Sequence, residues 1–342
     1  CGEDPFKHRE MTVMALRLVT VFGGSGSIGR QVVQRLASQG VRVRVAVRDP
    51  VKASFLKPLG DLGQIALLKV NVTDEAAVAR AVDGADGVVN LVGILAEGGR
   101  RTFQALHVDA PERIARLAAA AGVSRMVHMS ALGADENAAA KYAKSKAAGE
   151  AAVRKHFPSA TILRPSVVFG PHDGFFNLFA SFTRFSPVLP YYVKDGVKPN
   201  SGQAGSEGPR FQPVFVGDVT DAVMAGLTTA KHLGKTYELG GPQAYSMREV
   251  MDLVARQTER SVKPVPVPMW VARMQASVMG LLPKPMLTPD QVKLLEVDNV
   301  LTGGLPGLEA MGIEPTTVET VVPQYLSRFR PHHRHVMTRM PH

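Results

Sequence analysis

Apolar positions come in short runs, each closed by glycine or by a small polar turn, and the period of the pattern switches from run to run. Val19-Thr20-Val21-Phe22 leads straight into Gly23-Gly24-Ser25-Gly26-Ser27-Ile28-Gly29, after which residues 31–36 take helical spacing. Residues 41–48 alternate apolar and basic side chains at period two, as a strand does. Further strands are predicted at 65–70, 87–93, 125–130 and 161–171, and the nearly continuous apolar run at 87–93 suits a parallel strand buried on both faces. Between them lie a helix at 75–82 that Thr73 or Asp74 can cap, a helix at about 105–121, and an alanine-rich helix containing Tyr142-Ala143-Lys144-Ser145-Lys146. This alternation predicts an α/β fold, a doubly wound parallel sheet of Rossmann type.

After residue 171 the pattern loosens. Residues 191–210 are rich in Gly, Ser, Pro and charge, which predicts a long mobile loop over the cleft at the strands' carboxyl ends. Residues 211–219 read as a strand returning to the sheet, with a helix after Asp218 and a short strand at 237–239. Ser246-Met247-Arg248-Glu249 is a capping box opening a helix to about Gln257. The organisation is therefore an extension at 1–14, a Rossmann domain at 15–170 plus 211–245, a smaller discontinuous C-terminal lobe at 171–210 plus 246–330, and a basic tail at 331–342. Within the lobe, a proline lead at 265–268 precedes an apolar helix that sets Trp270, Met274, Val278 and Leu281 near one face. Such a stripe is either core or a docking or membrane-interface surface.

The strand, glycine turn and helix at 19–36 make a phosphate cradle for a dinucleotide, with Gly23, Ser25, Gly26, Ser27, Ile28 and Gly29 as its residues. The glycines parse as Gly24-x-Gly26-x-x-Gly29 or as Gly23-x-x-Gly26-x-x-Gly29, and Gly26 is the close-approach position in both. At the end of the second strand Arg48, with Lys52 as helper, suits a ribose 2′-phosphate and favours NADP(H) over NAD(H). Asp49, immediately after it, points the other way. Asn71 and Val72, at the end of the third strand, fall beside the adenine; Asn90 reads as a buried structural partner. Tyr142 and Lys146, four apart, share a helix face, and Ser130 ends the fifth strand. If the protein is an enzyme these three form a proton relay: Lys146 lowers the phenol pKa and binds ribose, Tyr142 transfers the proton, and Ser130 holds the substrate oxygen.

Composition narrows the setting. The single cysteine, Cys1, excludes an internal disulfide framework, and no metal site is expected. Residues 1–10 are charged rather than apolar and no run of about 18 apolar residues occurs, so the expectation is a soluble or peripheral protein of the cytoplasm. The formal charge of +10, part of it between Arg328 and Arg339, fits an anionic membrane surface or an acidic partner. No aromatic-studded basic strand or zinc-finger spacing accompanies it, so no nucleic acid is expected. His332, His333 and His335 read as a solvated tail.

Seven segments in order, the glycine turn at 23–29, Asn90-Leu91-Val92-Gly93, Ser130-Ala131-Leu132-Gly133, Tyr142 to Lys146, Leu163-Arg164-Pro165-Ser166, residues 212–219 and Pro306-Gly307-Leu308-Glu309, resemble the alpha-subcomplex subunit nine family of respiratory complex I. That family is an atypical branch of the extended short-chain dehydrogenase/reductases, and the resemblance covers about residues 15 to 330. It implies a tightly held structural NADP(H), with Val92, Gly93 and Pro165 joining the cofactor contacts, and a place where the peripheral arm of complex I meets the inner membrane. Its bacterial relatives also include reductases connected with quinone metabolism. Two functions therefore stand side by side, an NADP(H)-bearing accessory subunit and a free NADP(H)-dependent oxidoreductase.

Overall fold

The computed structural model describes residues 16–280 and 287–331. β1 (Leu18–Phe22), β2 (Arg42–Val47), β3 (Ile65–Lys69), β4 (Gly87–Asn90), β5 (Arg125–Met129) and β6 (Thr161–Pro165) alternate with α1 (Ser27–Ser38), α2 (Glu75–Val82), α3 (Ala110–Ala120) and α4 (Lys141–His156). β7 (Val168–Phe169), α5 (Phe176–Phe182), β8 (Val188–Val193), β9 (Arg210–Phe211), β10 (Val214–Phe215), α6 (Val216–Thr228) and β11 (Thr236–Leu239) follow. The chain continues through β12 (Tyr245–Ser246), α7 (Met247–Thr258), β13 (Lys263–Pro268), α8 (Met269–Met279), α9 (Pro289–Leu295) and α10 (Val318–Leu326).

The main sheet has seven parallel strands in the order β3-β2-β1-β4-β5-β6-β11. The chain reverses direction across the sheet at β1 and β4, and such a switch point opens a crevice at the strands' carboxyl ends. Val19, Val21 and Phe22 have no solvent exposure because both faces are covered. On one side Val32, Val33 and Leu36 of α1 pack with Val219, Val223 and Leu227 of α6. On the other, Val78 of α2, Ile114 and Ala118 of α3 and Val153 of α4 cover the sheet. A separate apolar cluster joins Phe169, Phe176, Leu189, Tyr191, Met251 and Val322 in the C-terminal part.

The structure corrects several boundaries. The sixth strand stops at Pro165, and Val168–Phe169 pairs instead with Val214–Phe215. The next helix starts at Val216, so Asp218 sits inside its first turn, where its carboxylate accepts the N–H and hydroxyl of Thr316 at 2.7 and 2.8 Å. The helix read at 105–121 begins as a π turn over Gln104–Asp109 before α3. Leu308 and Met311, assigned by sequence to the smaller lobe, belong to the core of the main sheet.

The segment 191–210 is not a loop throughout. Tyr191 to Val193 complete β8, which pairs in parallel with β13, the former proline lead. Lys263 donates its N–H to Pro187 on the β8 side, so Pro264, Pro266 and Pro268 turn their missing donors to the open edge and block further pairing there. The rest of the segment folds back on the start of α7 rather than over the cleft: Glu207 accepts from the Ser246 hydroxyl at 3.1 Å and from Arg248 at 3.2 Å.

Trp270, Met274 and Val278 are 55, 54 and 65% exposed on α8, while Met269, Ala272 and Ala276 form its buried face. The core alternative therefore does not hold for these three residues. Leu281 and the tail beyond 331 lie outside the described residues. No described helix is long and apolar enough to cross a membrane.

Candidate nucleotide site

The cradle forms where β1 ends. Gly23 takes φ +79°, which a side chain tolerates poorly, and its carbonyl accepts the Gly26 N–H at 3.1 Å to close the turn. Gly29 is locked by its neighbours, because a Cβ there would stand 2.4 Å from the Gly23 carbonyl oxygen. Gly26 differs: its nearest neighbour would be 3.4 Å from a Cβ, so the protein itself leaves that surface open. Gly26 is also the N-cap of α1 and offers no side-chain acceptor to the first-turn N–H groups, which leaves them for an anion. Ser25 is exposed beside it, Ser27 half-buried, and Ile28 packs on the core.

Arg48 is exposed at the end of β2 and forms no ion pair among the described residues. Asp49 is engaged locally, accepting the N–H groups of Val51 and Lys52 at 3.1 and 3.2 Å, with the Lys52 ammonium 3.8 Å away. At the end of β3, Asn71 braces its turn through the Thr73 N–H, and the Val72 carbonyl is held by Arg113 at 3.0 Å. Asp74, rather than Thr73, caps α2. Sequence reading missed Arg30 on α1, which lies 4.7 Å over the Phe55 ring with its Nε buried and unpartnered. Its position directly after the last glycine was the available signal.

At the carboxyl end of β5, Lys146 lies between the Tyr142 ring and the carbonyl of Met129, the residue before Ser130. Lys146 is 5% exposed, and its ammonium has one acceptor among the described residues, the Met129 carbonyl at 3.3 Å. Burial pulls its pKa down from 10.5 to about 8, with the Glu150 carboxylate opposing. Its Nζ is 5.9 Å from the centre of the Tyr142 ring and would be 3.4 Å from a Cβ on Gly93, so it faces the β4 turn. The expected lowering of the Tyr142 phenol by Lys146 does not appear: burial pushes it up to about 12. Val92 donates its N–H to Asn90 at 3.1 Å, and Asn90 contacts buried His128 at 3.1 Å, which makes Asn90 the structural partner expected. The Pro165 carbonyl accepts the Leu132 N–H at 2.9 Å, fixing the chain after Ser130.

Ser130 departs from its expected part. Its hydroxyl donates to buried Glu150 at 2.5 Å, and Glu150 is held by two bonds of 2.8 Å from Arg164. The serine proton is thus directed into the protein rather than to a substrate oxygen. His107 was also missed. Its Nε2 accepts the Ile94 N–H at 3.0 Å and its Nδ1 lies 2.8 Å from the Ser145 hydroxyl, so the ring is neutral with the proton on Nδ1. Burial, then the nearby Lys146 charge, lowers its pKa to about 3. Glu150 had a legible signal, since it follows Lys146 by one helical turn; His107 had none.

Residues 23–173 match the NAD(P)H-binding family model. Over 315 residues the chain is 34% identical to the mouse (Mus musculus) mitochondrial protein NADH dehydrogenase [ubiquinone] 1 alpha subcomplex subunit 9, covering 92% of this chain and 80% of that one. The chain belongs to the alpha subcomplex subunit 9 family. A ceramide reductase of Caulobacter vibrioides is 36% identical over 185 residues, 53% of this chain and 55% of its own. Among solved structures, an NADPH-dependent quinone oxidoreductase from Escherichia coli complexed with NADPH shares the fold, at a TM-score of 0.67 and 20% identity over 91% of this chain and 99% of that one. The chain thus shares its fold with an NADPH-binding reductase, and its open Gly26 and underpaired Lys146 both fit a dinucleotide.

Proposed function

We propose that the protein is an NADP(H)-holding accessory subunit of a respiratory NADH:quinone oxidoreductase, bound where the peripheral arm meets the cytoplasmic face of the inner membrane. The observation that carries this reading is the inward turn of the Ser130 hydroxyl beside a Lys146 ammonium with unused donors. Such a site grips ribose oxygens but offers no serine proton to a carbonyl. When bound, the nicotinamide would supply a hydride equivalent; this chain's own residues bind and orient it. The cradle at 23–29 would take the pyrophosphate and Arg48 the 2′-phosphate. The second reading, a free NADP(H)-dependent oxidoreductase, is favoured by the retention of Tyr142 and Lys146 on one helix face and by the ceramide reductase named above.

Purification of the native protein from membranes, with the bound nucleotide identified by mass spectrometry, tests the choice. Co-purification with quinone oxidoreductase subunits and NADP(H) at one per chain is expected. A free protein that consumes NADPH with quinone acceptors would establish the second reading instead. In titrations, Arg48→Ala is expected to weaken NADPH by about 2 kcal/mol, roughly thirtyfold in Kd, and leave NADH unchanged, since one charge-assisted phosphate contact is lost. Equal loss for both nucleotides would remove the NADP(H) preference.

The exposed face of α8 supports the docking part of the reading. Met274→Glu replaces a half-exposed side chain and is expected to leave folding intact while releasing the protein from membranes at low salt. The loss of a buried methionine contact is worth about 2 kcal/mol of association. Unchanged membrane association would discard α8 as the docking face.

A further inference from the structure

The helix that carries Tyr142 and Lys146 starts without a cap of its own. Ala140 stands at the N-cap of α4 and makes no side-chain hydrogen bond, and the first turn holds no acidic residue. By itself such a terminus leaves its first N–H groups unpaired and its positive pole uncompensated.

The missing carboxylate arrives from far along the chain. Asp290, in the first turn of α9, accepts the Lys141 N–H through Oδ1 at 2.7 Å and the Tyr142 N–H through Oδ2 at 2.9 Å. Lys293 of the same helix reaches the Ala139 carbonyl at 3.4 Å. α9 is itself fixed by a capping box between Thr288 and Gln291 and by Val292, which packs on Met269, Ala272 and Ala276 of α8.

We infer that Asp290 is a positioning residue for the nucleotide, acting through the first turn of α4, where it sets Tyr142 directly and Lys146 one turn further on. The inference rests on the NADP(H) reading of the site. Asp290 touches neither Tyr142 nor Lys146 by its side chain-to-side chain bonds; it holds the backbone from which both project. A turn released from its cap frays, and the ribose-binding pair would then have to be ordered by the ligand at the expense of affinity.

The test uses the full chain and compares wild type, Asp290→Ala, Asp290→Asn and Ser246→Ala by NADPH titration and by amide hydrogen exchange. Ser246→Ala removes the cap of α7, which packs into the separate apolar cluster of the C-terminal part rather than on α4, and controls for loss of stability alone. Asp290→Ala is expected to raise the NADPH Kd about tenfold, the size of a lost charged cap. Exchange across 141–146 should accelerate in the free protein and slow again when NADPH is added. Asp290→Asn, which keeps one acceptor oxygen, should fall between, and it carries the test if Asp290→Ala does not fold. Ser246→Ala should leave the Kd unmoved. Wild-type binding with an unchanged Kd in both Asp290 variants overturns the inference alone, as does an equal loss in Ser246→Ala. A wild type that binds neither NADPH nor NADH overturns the reading beneath it as well.

Discussion

Gly26→Val is expected to fold as the wild type does and to lose its nucleotide. Gly26 has φ −74° and ψ 177°, a conformation open to any residue, and no protein atom lies closer than 3.4 Å to a Cβ placed there. Valine is a poorer N-cap than glycine, so a stability change within about 1 kcal/mol is expected. The pyrophosphate, however, would have to occupy the space of the new side chain, and a rise in Kd of at least about a hundredfold, near 3 kcal/mol, should follow. The neighbouring Gly29→Ala should behave in the opposite sense. Its Cβ would meet the Gly23 oxygen at 2.4 Å and the Gly24 Cα at 2.5 Å, both backbone atoms that cannot rotate away. A loss of about 3 kcal/mol in folding stability is expected. Urea unfolding and NADPH titration of both variants check the pair; a Gly26→Val protein that still carries nucleotide through gel filtration would remove the cradle assignment.

The second large effect lies beneath Ser130. Arg164→Met should destabilise the fold by about 3 kcal/mol, because it leaves the buried Glu150 carboxylate without its two-bonded partner. The low end of the range applies because the Arg164 side chain keeps 21% of its exposure. Adding Glu150→Gln should recover most of the loss, since the uncompensated charge is then gone. Urea midpoints for both single variants and the double variant, at an unchanged denaturant slope, give the coupling directly. Additive losses would show that the pair does not stabilise this corner of the sheet.

The legible parts of this protein were the local ones. The glycine turn declares itself because strand, turn and helix are contiguous, and Tyr142 and Lys146 declare themselves because four residues is one helical turn. What stayed hidden depends on distant segments. β8 and β13 pair across more than sixty residues, and the prolines at 190, 264, 266 and 268 disguise both as irregular chain. The same prolines are tolerated because a two-stranded ribbon needs N–H groups on one side only. Ser130 is a strand-end serine in the sequence whatever its proton does; only Glu150 and Arg164, brought in from α4 and β6, turn it inward. Asp290 stands 148 residues from the Tyr142 N–H that it holds, beyond the reach of any spacing argument.

The α8 and α9 pair has two outward connections: an apolar face at Trp270, Met274 and Val278, and a carboxylate on the first turn of α4. On the proposed reading, two such contacts on one packed unit would make docking and nucleotide binding reciprocal. If a partner seated on the apolar face stiffened α8 against α9, it would also order the first turn of α4, and the factor by which it tightened nucleotide would be the factor by which nucleotide tightened it. On the accessory-subunit reading, a cofactor that does not turn over would still do work, as the ligand whose loss loosens the chain's hold on its partner.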